Sequence, residues 1–143
     1  MESTIRSAES RQDRREGQTT SIGVSSSWQG LPLVYLAGPY TLPDPVKNVN
    51  RAIDVADLLL NERVVIPHVP HLTHLWNERR PRQLQDWYDY DLVILARCDA
   101  LLRLDGESKG ADDEVQFAQE HHIPVFLSIG ELYEWTRTKW SRS

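Results

Sequence analysis

The chain has 143 residues, enough for one ordinary domain and too few for two independent cores. A charged fraction of 26% and an apolar fraction of 40% are usual for a globular protein, and no apolar run approaches the roughly 18 residues of a membrane helix, so no membrane partner is expected. With 16 Lys and Arg against 21 Asp and Glu, the net charge of −5 lacks the basic footprint that a nucleic acid polymer demands, and the single Cys98 excludes an internal disulfide or a cysteine-rich zinc site.

Residues 1–30 are rich in Ser, Thr and Arg, with Ile5, Ile22, Val24 and Trp28 as their only sizeable apolar residues. They bury too little to offset the entropy of ordering, so a disordered leader is expected there. Glu2, Glu9, Asp13 and Glu16 argue against a transit peptide, and no apolar signal segment opens the chain, which makes a reducing, cytoplasmic setting the expectation. An α/β domain is expected over 31–130 and a C-terminal helix or tail over 131–143.

The run LVYLA at 33–37 is short, apolar and closed by Gly38 and Pro39, as a buried strand should be. Asp44 then offers a helix N-cap and Pro45 a first helical position, followed by Val49, Ala52, Ile53, Ala56, Leu59 and Leu60 at helical spacing. A second strand is predicted at 64–66, ended by the Pro67-His68-Val69-Pro70 segment, with a loop rich in His and Trp after it. Beyond Pro81 a helix places Leu84, Tyr88, Asp91, Leu92 and Leu95 on one face. The third strand is read at 99–104, a loop at 105–110, a helix marked by Ala111, Val115 and Ala118 that ends near His121 and His122, and a fourth strand at 123–127. Strands alternating with helices imply right-handed crossovers, so the expected architecture is a single-domain, Rossmann-like three-layer α/β sandwich with a mostly parallel sheet of four to five strands.

In such sheets ligands bind beyond the carboxyl ends of the strands. Gly38, Pro39 and Tyr40 follow the first strand, His68 to Trp76 the second, and 105–114 the third, so one rim collects all three segments. Neither the dinucleotide fingerprint nor the P-loop is present, and no cofactor is expected. Ser108 opens the last of these helices, either as a plain cap or with the free amides beside it as a seat for an anion or a hydroxyl. Glu114 lies beside the apolar stripe of its helix, and Asp91 lies inward on another. Two inward carboxylates at one crevice suit glycosidic bond cleavage, one as nucleophile and one managing a proton. His68, His71 and His74 raise the question of a metal, but Pro67 and Pro70 deny them a regular helix and no metal is expected. A pocket wall in which His68 or Trp76 stacks on a base fits them better.

These residues resemble the nucleoside 2-deoxyribosyltransferase-like superfamily, which contains deoxyribosyltransferases and nucleoside 5'-monophosphate N-hydrolases. The likeness spans about 33–127 and rests on Val34-Tyr35-Leu36-Ala37-Gly38-Pro39-Tyr40, on Asp91-Leu92 ahead of Cys98-Asp99-Ala100-Leu101, and on Ser108-x-Gly110-x-x-x-Glu114 with Ala118. The resemblance implies Glu114 as the nucleophile toward the sugar C1', Asp91 as its proton-managing partner and Tyr35 as an aromatic close to the nucleophile. It also implies Gly38, Pro39, Tyr40, Ser108 and Gly110 around the substrate. Ser108 stands where the transferases usually carry Asp, which favours water as acceptor. The monophosphate hydrolases tend to place Ser and Arg after the first strand's Gly, where this chain has Pro39 and Thr41, so the 5'-phosphate stays open.

The resemblance further implies a homodimer or larger homo-oligomer. Tyr133, Trp135, Arg137, Lys139, Trp140 and Arg142 give the tail an aromatic and basic character, and two exposed Trp there would suit an interface. The expected function is cleavage of a nucleoside or nucleoside 5'-monophosphate at its N-glycosidic bond, mainly by water. The alternatives are a base-exchanging deoxyribosyltransferase and, from another class, a nucleotide-sensing module without turnover. A cytokinin-type phosphoribohydrolase is only loosely echoed by residues 105–114.

Overall fold

The computed structural model describes residues 22–140; of the expected leader, residues 1–21 lie outside the described residues, as do 141–143 of the tail. Strand β1, Leu33–Ala37, alternates its side chains as a strand must: Tyr35 and Ala37 enter one core, Val34 and Leu36 the other. Helix α1, Pro45–Glu62, starts as its sequence dictates. Asp44 is extended, its carboxylate accepts from the Val46 and Lys47 amides, and Pro45 fills the first turn where a missing N–H costs nothing. The helix ends at Arg63 in the left-handed region (φ 57°) and buries Ala52 and Leu59.

Strand β2 is Ile66–His68, two residues later than predicted. Pro67 is tolerated because β2 is an edge strand that pairs only with β1, in the register Leu33 to Ile66, Val34 to Pro67 and Tyr35 to His68. The Ile66 amide points at β1 and donates to Pro32 O (2.8 Å), so the position after it turns its missing donor to the open side. The loop predicted beyond β2 is instead helical. Pro70 opens a 3-10 turn, Pro70–Leu72, that runs into helix α2, Thr73–Arg79, because proline is excluded from helix interiors and accepted at their first turn.

Helix α3, Leu84–Leu95, strand β3, Ala100–Arg103, helix α4, Lys109–Glu120, strand β4, Val125–Phe126, and helix α5, Ile129–Thr138, complete the chain. Leu84, placed inward by periodicity, is exposed, since the first residue of α3 has no neighbouring layer to cover it. The sheet order is β2-β1-β3-β4, with every pair parallel. Helices α1 and α5 cover one face over Val34, Leu36, Leu59, Leu102 and Leu132; α3 and α4 cover the other over Tyr35, Ala37, Leu95, Leu101, Ala111 and Ala118. The molecule is thus a three-layer α/β sandwich of the Rossmann-like kind, with an all-parallel sheet of four strands.

The tail departs from expectation. Trp135 packs on Phe126 (ring centroids 5.3 Å apart) and on Trp140, whose indole N–H donates to Gly30 O at 2.8 Å, so both rings are partly buried against their own chain. The Arg63 guanidinium lies 4.8 Å over the Trp28 ring, and residues 22–30 are otherwise almost wholly exposed. No helix among the described residues is long and apolar enough to cross a membrane.

Candidate active site

The chain runs from β1 to β2 on one side of the sheet, while β3 pairs with the other side of β1. A crevice therefore opens between the carboxyl ends of β1 and β3, the place where parallel sheets receive ligands. Both exits are tightly packed. A Cβ on Gly38 would stand 2.9 Å from Leu104 Cβ, and one on Gly106, which has φ +116°, would stand 2.8 Å from Pro39 Cγ. Only glycine fits at these two close approaches.

Tyr35, fully buried in the middle of β1, donates a short hydrogen bond from its phenol to Glu114 Oε2. Glu114 reaches it because α4 is pinned at both ends of its apolar stripe by buried Ala111 and Ala118, with Ser108 Oγ capping the helix by accepting from the Ala111 amide at 3.0 Å. Burial pushes the Glu114 carboxyl up to about 7; the Tyr35 hydrogen bond and the Arg103 charge oppose that, and Asp91 and Asp113 add to it. Asp91, on the inward side of α3, is likewise raised by burial to about 7, and its Oδ1 is buried without a hydrogen-bond partner among the described residues. Burial and the two carboxyls together hold the Tyr35 phenol protonated. Burial thus raises both acids into the neutral range, and at Glu114 the Tyr35 hydrogen bond and the Arg103 charge favour the ionised form.

His68, the last residue of β2, sets its ring 5.6 Å from that of Tyr35, and its buried Nε2 has no partner among the described residues. Burial lowers its pKa and keeps it neutral. His71 is turned elsewhere, with Nε2 donating to Pro39 O at 3.1 Å. His74 meets the Tyr40 hydroxyl through Nδ1 at 2.5 Å, and Asn48 fixes the same loop by donating to Tyr40 O and Leu42 O. The three histidines therefore serve three separate partners.

Tyr35, Asp91, Glu114 and His68 are brought together, with Gly38 and Pro39 at their rim. Tyr40 follows in the loop after β1, where its hydroxyl meets His74. Ser108 has the capping role, and Gly110 has nothing within 4 Å of where a Cβ would lie, so the fold itself does not demand glycine there. Trp76 is not part of the group. It is half exposed and packs edge-on against Trp87 and Tyr90 (5.1 and 6.1 Å) beside a separate cleft of about 430 Å³ that includes Arg82, Asp86 and Val93. Arg103, the last residue of β3, stands outside the residues expected at the site. Its signal was there, a cation inside the apolar run of 100–104 at two-residue spacing from Leu101.

The pattern of a family described as a domain of unknown function (DUF7768) matches residues 32–128. The chain belongs to this family. The DUF7768 match takes in all four strands and Tyr35, Asp91, Arg103 and Glu114, and stops ahead of α5. No curated protein matches the chain.

Proposed function

We propose that this DUF7768 protein cleaves the N-glycosidic bond of a nucleoside or nucleoside 5'-monophosphate, mainly to water, as the resemblance to the nucleoside 2-deoxyribosyltransferase-like superfamily implies. The observation that carries the reading is a pair of buried carboxyls at the crevice, one held by the Tyr35 phenol and the other with an unpartnered oxygen. In the reactive form Asp91 carries a proton and Glu114, held by the Tyr35 hydrogen bond, is ionised. Its carboxylate attacks C1' of the sugar, the C1'–N bond breaks, and the departing base takes the Asp91 proton. Asp91, now a carboxylate, removes a proton from water as that water attacks C1', the glycosyl ester opens, and both acids return to their starting states.

Tyr35 orients Glu114 and does not itself react. The open space at Gly110 and the uncapped first amides of α4 leave room for a sugar hydroxyl or phosphate oxygen. His68, neutral and beside Tyr35, offers a wall for the base. No cofactor enters the scheme. We place the protein in the cytoplasm as a homo-oligomer, with exposed Leu75, Trp76, Leu84 and Val93 along α2 and α3 as apolar surface available to a second copy.

The test is a panel of nucleosides and their monophosphates, incubated with the full chain and a labelled second base. Free base with sugar or sugar phosphate is expected. Labelled nucleoside forming faster than free sugar makes the protein a base-exchanging transferase, and stoichiometric binding without either product makes it a nucleotide-sensing module.

A further inference from the structure

We propose that Arg103 is a positioning residue for Glu114: it clamps the β3-to-α4 turn onto the sheet and sets a fixed positive charge on the Glu114 side of the carboxyl pair. The inference rests on the functional reading above only for its consequence on turnover. A cation inside a parallel strand is costly unless every part of it is used. Arg103 shares a face with Leu101, so its side chain emerges under α4, and it is only 13% exposed. One guanidinium nitrogen donates to Leu104 O; the other donates to Gly106 O at 2.9 Å and to Asp112 Oδ1 at 3.0 Å. One planar fork thereby ties the strand end, the Gly106 turn and the first turn of the helix that carries Glu114.

The groups that act on Glu114 are Tyr35 from β1, Asp91 from α3, Arg103 from β3 and Asp113 from its own helix. Asp113 is occupied by Lys109 at 2.9 Å. Among these four Arg103 alone is cationic, so its charge joins the Tyr35 hydrogen bond in favouring the ionised form of Glu114. The geometry makes that bias permanent, because the same nitrogens that carry the charge are fixed by backbone carbonyls.

Glutamate labelled with 13C at its carboxyl gives a direct reading, with the Glu114 resonance assigned by its loss in Glu114→Gln. Arg103→Gln, which keeps a donor for Gly106 O, is expected to raise the Glu114 midpoint by about 1 pH unit, while Arg103→Lys holds it near the original value. The acidic limb of the pH–rate profile for base release should move with it, which a purely structural residue would not cause. An unmoved midpoint in Arg103→Gln overturns the proposal. If that variant does not fold, Asp112→Asn at an exposed position tests the same point with opposite sign: relieved of its counter-charge, Arg103 lowers the midpoint, and no change overturns the proposal. Midpoints that move as stated in a protein that cleaves no nucleoside or nucleotide support Arg103 and refute the proposed function alone.

Discussion

At Glu114 two demands oppose each other, since burial favours the protonated acid and the proposed chemistry needs the carboxylate. Glu114→Gln keeps the volume and removes the charge, so base release should fall by at least about 10³-fold, roughly 4 kcal/mol of barrier, while the fold persists. Its stability should change in a pH-dependent way. A carboxyl raised from its ordinary value to about 7 in the folded chain favours folding fully below pH about 4.5, and that contribution drains away as the pH climbs through about 7. Thermal melts of the native chain should therefore decline from pH 5 to pH 8, and those of Glu114→Gln should decline less, by an amount on the order of 3 kcal/mol at the upper end. Identical pH slopes in the two proteins would mean that Glu114 does not titrate in that range. Gly110 gives a test of another kind. Gly110→Ala removes backbone freedom from the unfolded chain at an unobstructed helical position, so the melting point should rise, by about 0.5–1 kcal/mol in stability, while base release falls because the methyl group occupies the substrate's space. Unchanged turnover would show that substrate does not approach there. Asp91 and Glu114 were legible as inward acids from helical spacing alone. Tyr35 was legible only through the resemblance, because a tyrosine in a buried strand looks like core until its hydroxyl is seen to have an acceptor.

The elements that build the crevice were read well where local chemistry decides them and poorly where pairing decides them. LVYLA, the Asp44-Pro45 helix start and the Ser108 cap appear where the sequence places them, since capping and proline geometry are local. β2 slipped by two residues because register against β1, rather than the apolarity of Val64 and Val65, selects which residues form the ladder. The helical turns after Pro70 are not legible from proline's role as a breaker, because at a first turn the missing N–H costs nothing. The exits of β1 and β3 carry the clearest prediction at this scale. Gly38→Ala drives a methyl into Leu104 Cβ, with backbone on both sides fixed by the Leu104 amide bonding to Ala37 O at 2.7 Å. A loss of about 1–3 kcal/mol in denaturant unfolding is expected, with a drop in turnover beyond what the lost stability explains, since the crevice floor shifts. A variant as stable as the native chain would mean that the two exits are less tightly joined than they look.

The described residues form a sheet with the buried carboxyl pair at one rim and with Gly30 and Trp140 tied together at the other. Trp140 reaches Gly30, and Trp28 sits under Arg63, so the first described residues belong partly to the fold. A chain beginning at Ile22 keeps every contact described and should melt as the full chain does. One beginning at Gly30 loses the contact between Arg63 and Trp28, about 0.5–1 kcal/mol, and should melt a few degrees lower with base release intact. Equal melting points would show that the ring contributes nothing to stability. The same sheet has two outer margins. On one side β4 offers only two residues; on the other, the middle residue of β2 is Pro67, which has no hydrogen to give on its outward side. Neither margin can serve as a template for a strand from another molecule, so crowded or partly heated copies have no route to fibril-like growth through these edges, and self-association is steered to the helical surfaces instead.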